Sequence, residues 1–149
     1  MATSATYKIP ELDPAMVFDM GVNAPVYHQR TIAYLTTGLL NAYRAGQCPY
    51  EPLPEMMVGE YSSPTPDLVL YDNVTETTKV IIEVCQTRGA KADLSKVIQL
   101  IDGELYAIEE GFVYNYKTFQ WLRYRKGDEG QATESSYSDV LNLDLNTYL

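Results

Sequence analysis

Histidine and cysteine are nearly missing from this sequence: His28 is the one histidine, and Cys48 and Cys85 are the two cysteines, in 149 residues. Two cysteines cannot frame a disulfide-rich fold, and one histidine leaves no Cys/His zinc cluster, so a reducing compartment is expected. Bases are scarce as well. Eleven stand against twenty acids for a formal charge of -9, a balance opposed to indiscriminate binding of nucleic acid or an anionic membrane. No run approaches the roughly eighteen apolar residues of a membrane span, and the first residues lack a cationic start followed by an apolar segment. A cytoplasmic location and no membrane partner are therefore expected. A Gly-rich phosphate loop and a Gly-x-Ser-x-Gly elbow are absent too, which disfavours P-loop nucleotide hydrolysis and α/β-hydrolase chemistry.

What is present suits a single domain, with 46% apolar and 21% charged residues. It divides into an N-terminal arm (1–27), a core (28–126) and an acidic C-terminal segment (127–149). The arm carries three acids and one base, and the C-terminal segment five acids and no base. Eight of the eleven bases fall between Lys79 and Lys126, which gives the second half of the core a cationic side. Any polyanion must be met there. The C-terminal segment also carries Val140, Leu141, Leu143 and Leu145, which could dock on the domain or leave its acids to screen those bases.

Apolar spacing predicts a helix over 25–45, with Ile32, Leu35, Leu39 and Tyr43 on one face and Gly46 as a left-handed stop. A short strand is expected over 55–60. Residues 67–72 and 79–85 are rich in β-formers and apolar on both faces, as central strands covered by helices should be. A second helix opening near Asp93 as N-cap is marked by Val97, Leu100, Ile101, Leu105 and Ile108, with Gly103 a candidate early end. Residues 112–116 and 120–124 read as a second hairpin. The fold class is α/β, with a central mixed β-sheet flanked by α-helices.

A five-residue loop over 73–77 would set Asp72 against Thr78 and hence Asp67 against Glu83. Opposed carboxylates repel unless a proton or cation lies between them, so such a pair suits a shared divalent ion. Alternation puts Cys85 on the face of Glu83. Arg88, Lys91 and Lys96 follow, and Lys96, about one turn into the second helix, could lean over the strand end.

Pro66-Asp67 followed by Glu83 on the next apolar strand, within this element order, resembles the PD-(D/E)XK restriction-endonuclease-like superfamily. His28-Gln29-Arg30, 66–72, Ile82-Glu83-Val84, Asp93-Leu94-Ser95-Lys96, 112–116 and the closing 137–145 are similar to the Uma-two family of bacterial proteins with that fold. The resemblance implies a metal-dependent nuclease acting on DNA. Asp67 and Glu83 would ligate Mg2+ or Mn2+, a backbone carbonyl just after Glu83 would add a third oxygen, and Lys96 would serve the attacking water. Enzymes that cut both strands often work as dimers, which puts a homodimer among the expected assemblies. Cys85 stands where the superfamily has lysine, so a catalytically degenerate module that binds nucleic acid or a protein partner is the alternative.

Blander readings remain open beside these. Asp67 could cap a turn, His28 could simply start a helix, Lys96 could be a solvated helix residue, and Gln86 and Glu60 could be structural. Cys85 reads as a small core or near-site residue rather than a nucleophile, since the one histidine is far from it in sequence and no third partner is evident. The stretch 121–126, aromatic and basic, could contact a phosphate backbone or form a charged edge strand.

Overall fold

The computed structural model describes residues 25–59 and 64–149; most of the arm, and Glu60, lie outside the described residues. The first helix, α1, spans Val26–Arg44 and buries Ile32, Leu35, Leu39 and Ala42 at three- and four-residue steps. Gly46 follows at φ +75, a left-handed exit that glycine adopts without a Cβ clash.

The first strand lies earlier than 55–60. It is β1, Glu51–Pro54, and residues 55–59 are turn, bend and coil. Pro52 and Pro54 argue against a strand in general, but β1 is an edge strand paired with one neighbour, so half of its backbone groups face away from any ladder.

The central hairpin joins β2, Leu68–Asp72, to β3, Thr77–Cys85. Asp72 Oδ1 accepts the backbone N–H of Val74 at 2.8 Å and of Thr75 at 3.3 Å, which shapes the turn. The loop is one residue shorter than expected, for Asp72 pairs with Thr77 rather than Thr78. A bulge then intervenes: Tyr71 pairs with Thr78 but Leu70 with Val80, so Lys79 is the extra residue on β3. Beyond it Leu68 faces Ile82, and one further step sets Asp67 against Glu83. The two departures from the expected hairpin cancel.

Helix α2 spans Thr87–Asp102. It opens six residues before the expected Asp93, which therefore lies inside the helix and is not its N-cap. The early turns are built of Arg88, Gly89, Ala90, Lys91 and Ala92, with no apolar period to reveal them, and Gln86 at the N-cap makes no side-chain capping bond. Gly103 follows as C-cap, leaving Leu105 exposed and Ile108 buried in the connection to β4, Glu110–Asn115. β4 turns into β5, Gln120–Arg125, which carries the short β6, Thr133–Glu134. A two-stranded ladder of β7, Tyr137–Ser138, and β8, Leu143–Asp144, leads to a 3-10 turn at Leu145–Tyr148.

The main sheet runs β1-β2-β3-β4-β5-β6, antiparallel except between β3 and β4, which α2 connects in parallel. Leu68, Leu70, Val80, Ile82 and Phe112 pack with α1 on one face, while Val69, Ile81 and Val113 pack with Val97 and Ile101 of α2 on the other. Cover on both faces explains why β2 and β3 are apolar nearly throughout. The approach of α2 is close, since a Cβ on Gly111 would clash with Val97 Cγ1.

The acidic segment is built into the fold. Leu141 and Leu145 are buried in the α1-side core. Buried Glu110 accepts a hydrogen bond from the Ser138 hydroxyl and another, 3.1 Å long, from the Asp139 N–H, while burial pushes its carboxyl above the usual range. Asp139 also pairs with Arg125 and, at 3.7 Å, with Arg123.

Candidate functional site

The first turn of α1, the N-terminus of β2, and the C-terminal ends of β3 and β4 meet at one end of the sheet. Ligand sites in mixed α/β sheets gather at the carboxyl ends of parallel strands. Asp67 stands just before β2, where its Oδ2 accepts the Val84 N–H at 2.8 Å. His28, two residues into α1, brings Nε2 to 3.4 Å from the same oxygen. The residue weighed as a plain helix-start histidine is thus at the acid.

Glu83 is 8% exposed, with its carboxyl pushed up from 4.5 to about 8. Burial is the largest cause, followed by the negative charges of Asp67 and Asp93 and a hydrogen bond with Asp67; Lys96 works in the opposite direction. Cys85 shares this face, and burial, then Asp93, Asp67 and Glu83, push its thiol up to about 12. Such a thiol stays protonated at neutral pH and is no nucleophile.

Asp93 is the group that sequence reasoning misplaced. Taken as an N-cap, it instead sits in the second turn of α2, where burial raises its carboxyl above the usual range while Lys96 opposes the rise. Its Oδ1 lies 3.6 Å from Lys96 Nζ. The Asp93-x-x-Lys96 spacing, which places both on one helical face, is the signal that could have found it. The Lys96 side chain is 63% exposed and borders a depression of ≈ 360 Å3 together with Glu83, Thr65 and Gln99. A second depression of ≈ 270 Å3 lies against His28, Cys85, Arg88 and Tyr116.

Other candidates are placed elsewhere. Trp121 is buried between Phe112 and Tyr114 and donates its indole N–H to Asn146 Oδ1 at 3.1 Å, so it offers no ring to a ligand. Arg123 and Arg125 are engaged by Asp139. Gln86 is exposed at the start of α2, bordering the second depression. A roomier depression of ≈ 820 Å3 opens at the opposite end of the sheet, beside Tyr71, Thr78 and Tyr106, away from the acids. Among the described residues no group of three or more His, Cys, Asp or Glu side chains is arranged to hold a metal ion; Asp67 and Glu83 are the two that face each other.

No family model matches the sequence and no curated protein does, so the Uma-two resemblance rests on its motifs alone. A solved structure shares the fold at low identity. A candidate nuclease belonging to DUF820 from Anabaena variabilis superposes with a TM-score of 0.56 at 12% identity, over 82% of this chain and 79% of its own. The type IIG restriction endonuclease BpuSI gives a TM-score of 0.48 at 20% identity, over 70% of this chain and 12% of its own. The mixed six-stranded sheet with its two helices is a restriction-endonuclease-like core.

Proposed function

We propose that the protein is a metal-dependent nuclease that hydrolyses DNA phosphodiester bonds at the Asp67/Glu83 end of the sheet. One observation carries the reading: a buried glutamate faces a second carboxylate and has its proton held to about pH 8 by burial and by neighbouring acids. Buried like charges at one point are costly unless a proton or a cation neutralises them. The donor set fits magnesium or manganese, because a small hard cation takes one or two carboxylates and completes its shell with water and phosphate oxygens. When bound, such an ion polarises a phosphoryl oxygen and lowers the pKa of a bound water.

The chain's own residues divide the remaining work. Asp67 and Glu83 would hold the ion, and the Val84 N–H and His28 orient Asp67. Lys96, whose side chain is exposed, brings a positive charge to the phosphate or the attacking water. A cytoplasmic location goes with this reading, and among the described residues no helix is long and apolar enough to cross a membrane. The second reading, a degenerate module, is favoured by a specific feature: a protonated Cys85 stands in place of the superfamily's lysine, while Lys96 is tied to Asp93.

Calorimetry with manganese should show one site in the parent that is largely lost in Asp67→Ala and in Glu83→Ala. Equal binding by all three proteins would remove the site. Magnesium-dependent cleavage of plasmid or of single-stranded DNA that disappears in Glu83→Ala supports the enzyme, and metal binding with no cleavage of either supports the module. Linear plasmid as the first product, with a dimer in sedimentation, would support the homodimer.

A further inference from the structure

We infer that Tyr27 and Tyr116, flanked by Arg30 and Lys117, form a stacking platform for an unpaired base, which makes single-stranded nucleic acid the substrate class of the neighbouring site. The binding claim stands on the platform itself; only the word substrate rests on the nuclease reading.

Tyr27 is 60% exposed on the first turn of α1. Its ring stacks loosely on Tyr116, with centroids 6.5 Å apart and planes 23° apart. The Arg30 Cζ lies 5.5 Å from the Tyr27 centroid, and the Lys117 Nζ lies 5.9 Å from each tyrosine centroid. A lone exposed tyrosine is ordinary. Two stacked rings carrying two cations are a different matter in a chain of net charge -9, and among the described residues neither Arg30 nor Lys117 has a carboxylate partner. Both are open to phosphate.

The platform is fixed and continuous with the acids. Asn115 Oδ1 accepts the N–H of Lys117 at 2.9 Å and of Thr118 at 3.3 Å, and its amide donates to Thr87 Oγ1 at 3.0 Å. The loop bearing Tyr116 and Lys117 is thereby pinned to the start of α2. His28 meets Tyr116 edge-on, with centroids 6.5 Å apart, and reaches Asp67 with its Nε2. The run Tyr27, Tyr116, His28, Asp67 links the platform to the carboxylates by direct contacts, beside the ≈ 270 Å3 depression that Arg88 borders.

Base faces inside a duplex are covered by their neighbours, so a ring platform serves a base that is already unstacked. Stacking on aromatic side chains, with cations tracking the flanking phosphates, is how single strands are held without sequence readout. The buried Trp121 and the engaged Arg123 and Arg125 cannot supply this.

Fluorescence anisotropy of a labelled oligothymidylate, free and annealed to its complement, tests the inference in chelator at low salt. The parent should prefer the single strand. Tyr27→Ala should weaken binding about 5- to 150-fold, Tyr27→Phe should retain it, and Lys117→Gln should flatten the salt dependence by about one phosphate contact. Tyr27→Ala binding like the parent, or duplex bound as well as single strand, would overturn the platform. Platform binding with no cleavage under any divalent metal would sink the hydrolytic reading and leave the platform standing. Metal-dependent nicking with Tyr27→Ala indifferent would do the reverse.

Discussion

Replacing Glu83 by glutamine tests whether the acid cluster costs the metal-free fold stability. The folded-state carboxyl binds its proton up to about pH 8, against 4.5 ordinarily. Below pH 4.5 the group is protonated in both folded and unfolded chains and contributes no pH dependence. Between 4.5 and about 8 the folded chain holds a proton that the unfolded chain has released, so stability falls as pH rises through this window. At ~1.4 kcal/mol for each tenfold change in proton affinity, the ceiling is roughly 5 kcal/mol, and water entering the site together with Lys96 brings the expected loss to a few kcal/mol. Glu83→Gln keeps the shape and removes the ionisation. Urea unfolding in chelator at pH 5, 6.5 and 8 should show the parent losing stability relative to the variant. Manganese at pH 8 should restore the parent alone, because ligand binding to the folded state adds stability. Glu110, also raised by burial, adds a slope of the same sign that is common to both proteins and cancels in the comparison, whereas Asp93, raised by burial and facing the Glu83 charge, contributes part of its own slope to the difference. Parallel pH profiles for parent and variant would refute the reasoning.

Lys96→Met should preserve folding and manganese affinity while reducing nicking by roughly two orders of magnitude; an unchanged rate returns Lys96 to the solvated helix face. Leu145→Ala should cost about 2–5 kcal/mol in urea unfolding, because Leu145 is fully buried in the core beside α1; a near-neutral result would mean that the acidic segment is not part of the cooperative fold.

The strands β2 and β3 are legible in sequence because burial on both faces demands near-continuous apolar character, and α1 because its buried face keeps a regular period. The early turns of α2 are illegible for the converse reason: they bury little, and their small and charged residues leave no pattern. β1 is hidden by its prolines, whose tolerance depends on the strand lying at a sheet edge. The apposition of Asp67 and Glu83 follows from alternation and register, although the loop length assumed for it is one residue too long. Asp93 is disclosed in sequence only by its three-residue spacing to Lys96, and the Tyr27/Tyr116 pair depends on contacts between elements distant in the chain, so local spacing does not disclose it.

The Lys79 bulge separates the two ends of the central hairpin. The tip carries one pairing frame and the acid-bearing end another, with the change absorbed at a residue whose carbonyl accepts the Glu109 N–H at 2.8 Å and whose ammonium lies 3.9 Å from the Glu109 carboxylate. Anchored by those contacts to the segment that leads into β4, the bulge acts as a mechanical clutch. Length changes in the 73–76 turn should therefore slip at the tip without rotating Glu83 off its face, so insertions and tags placed there should leave the chemistry in register.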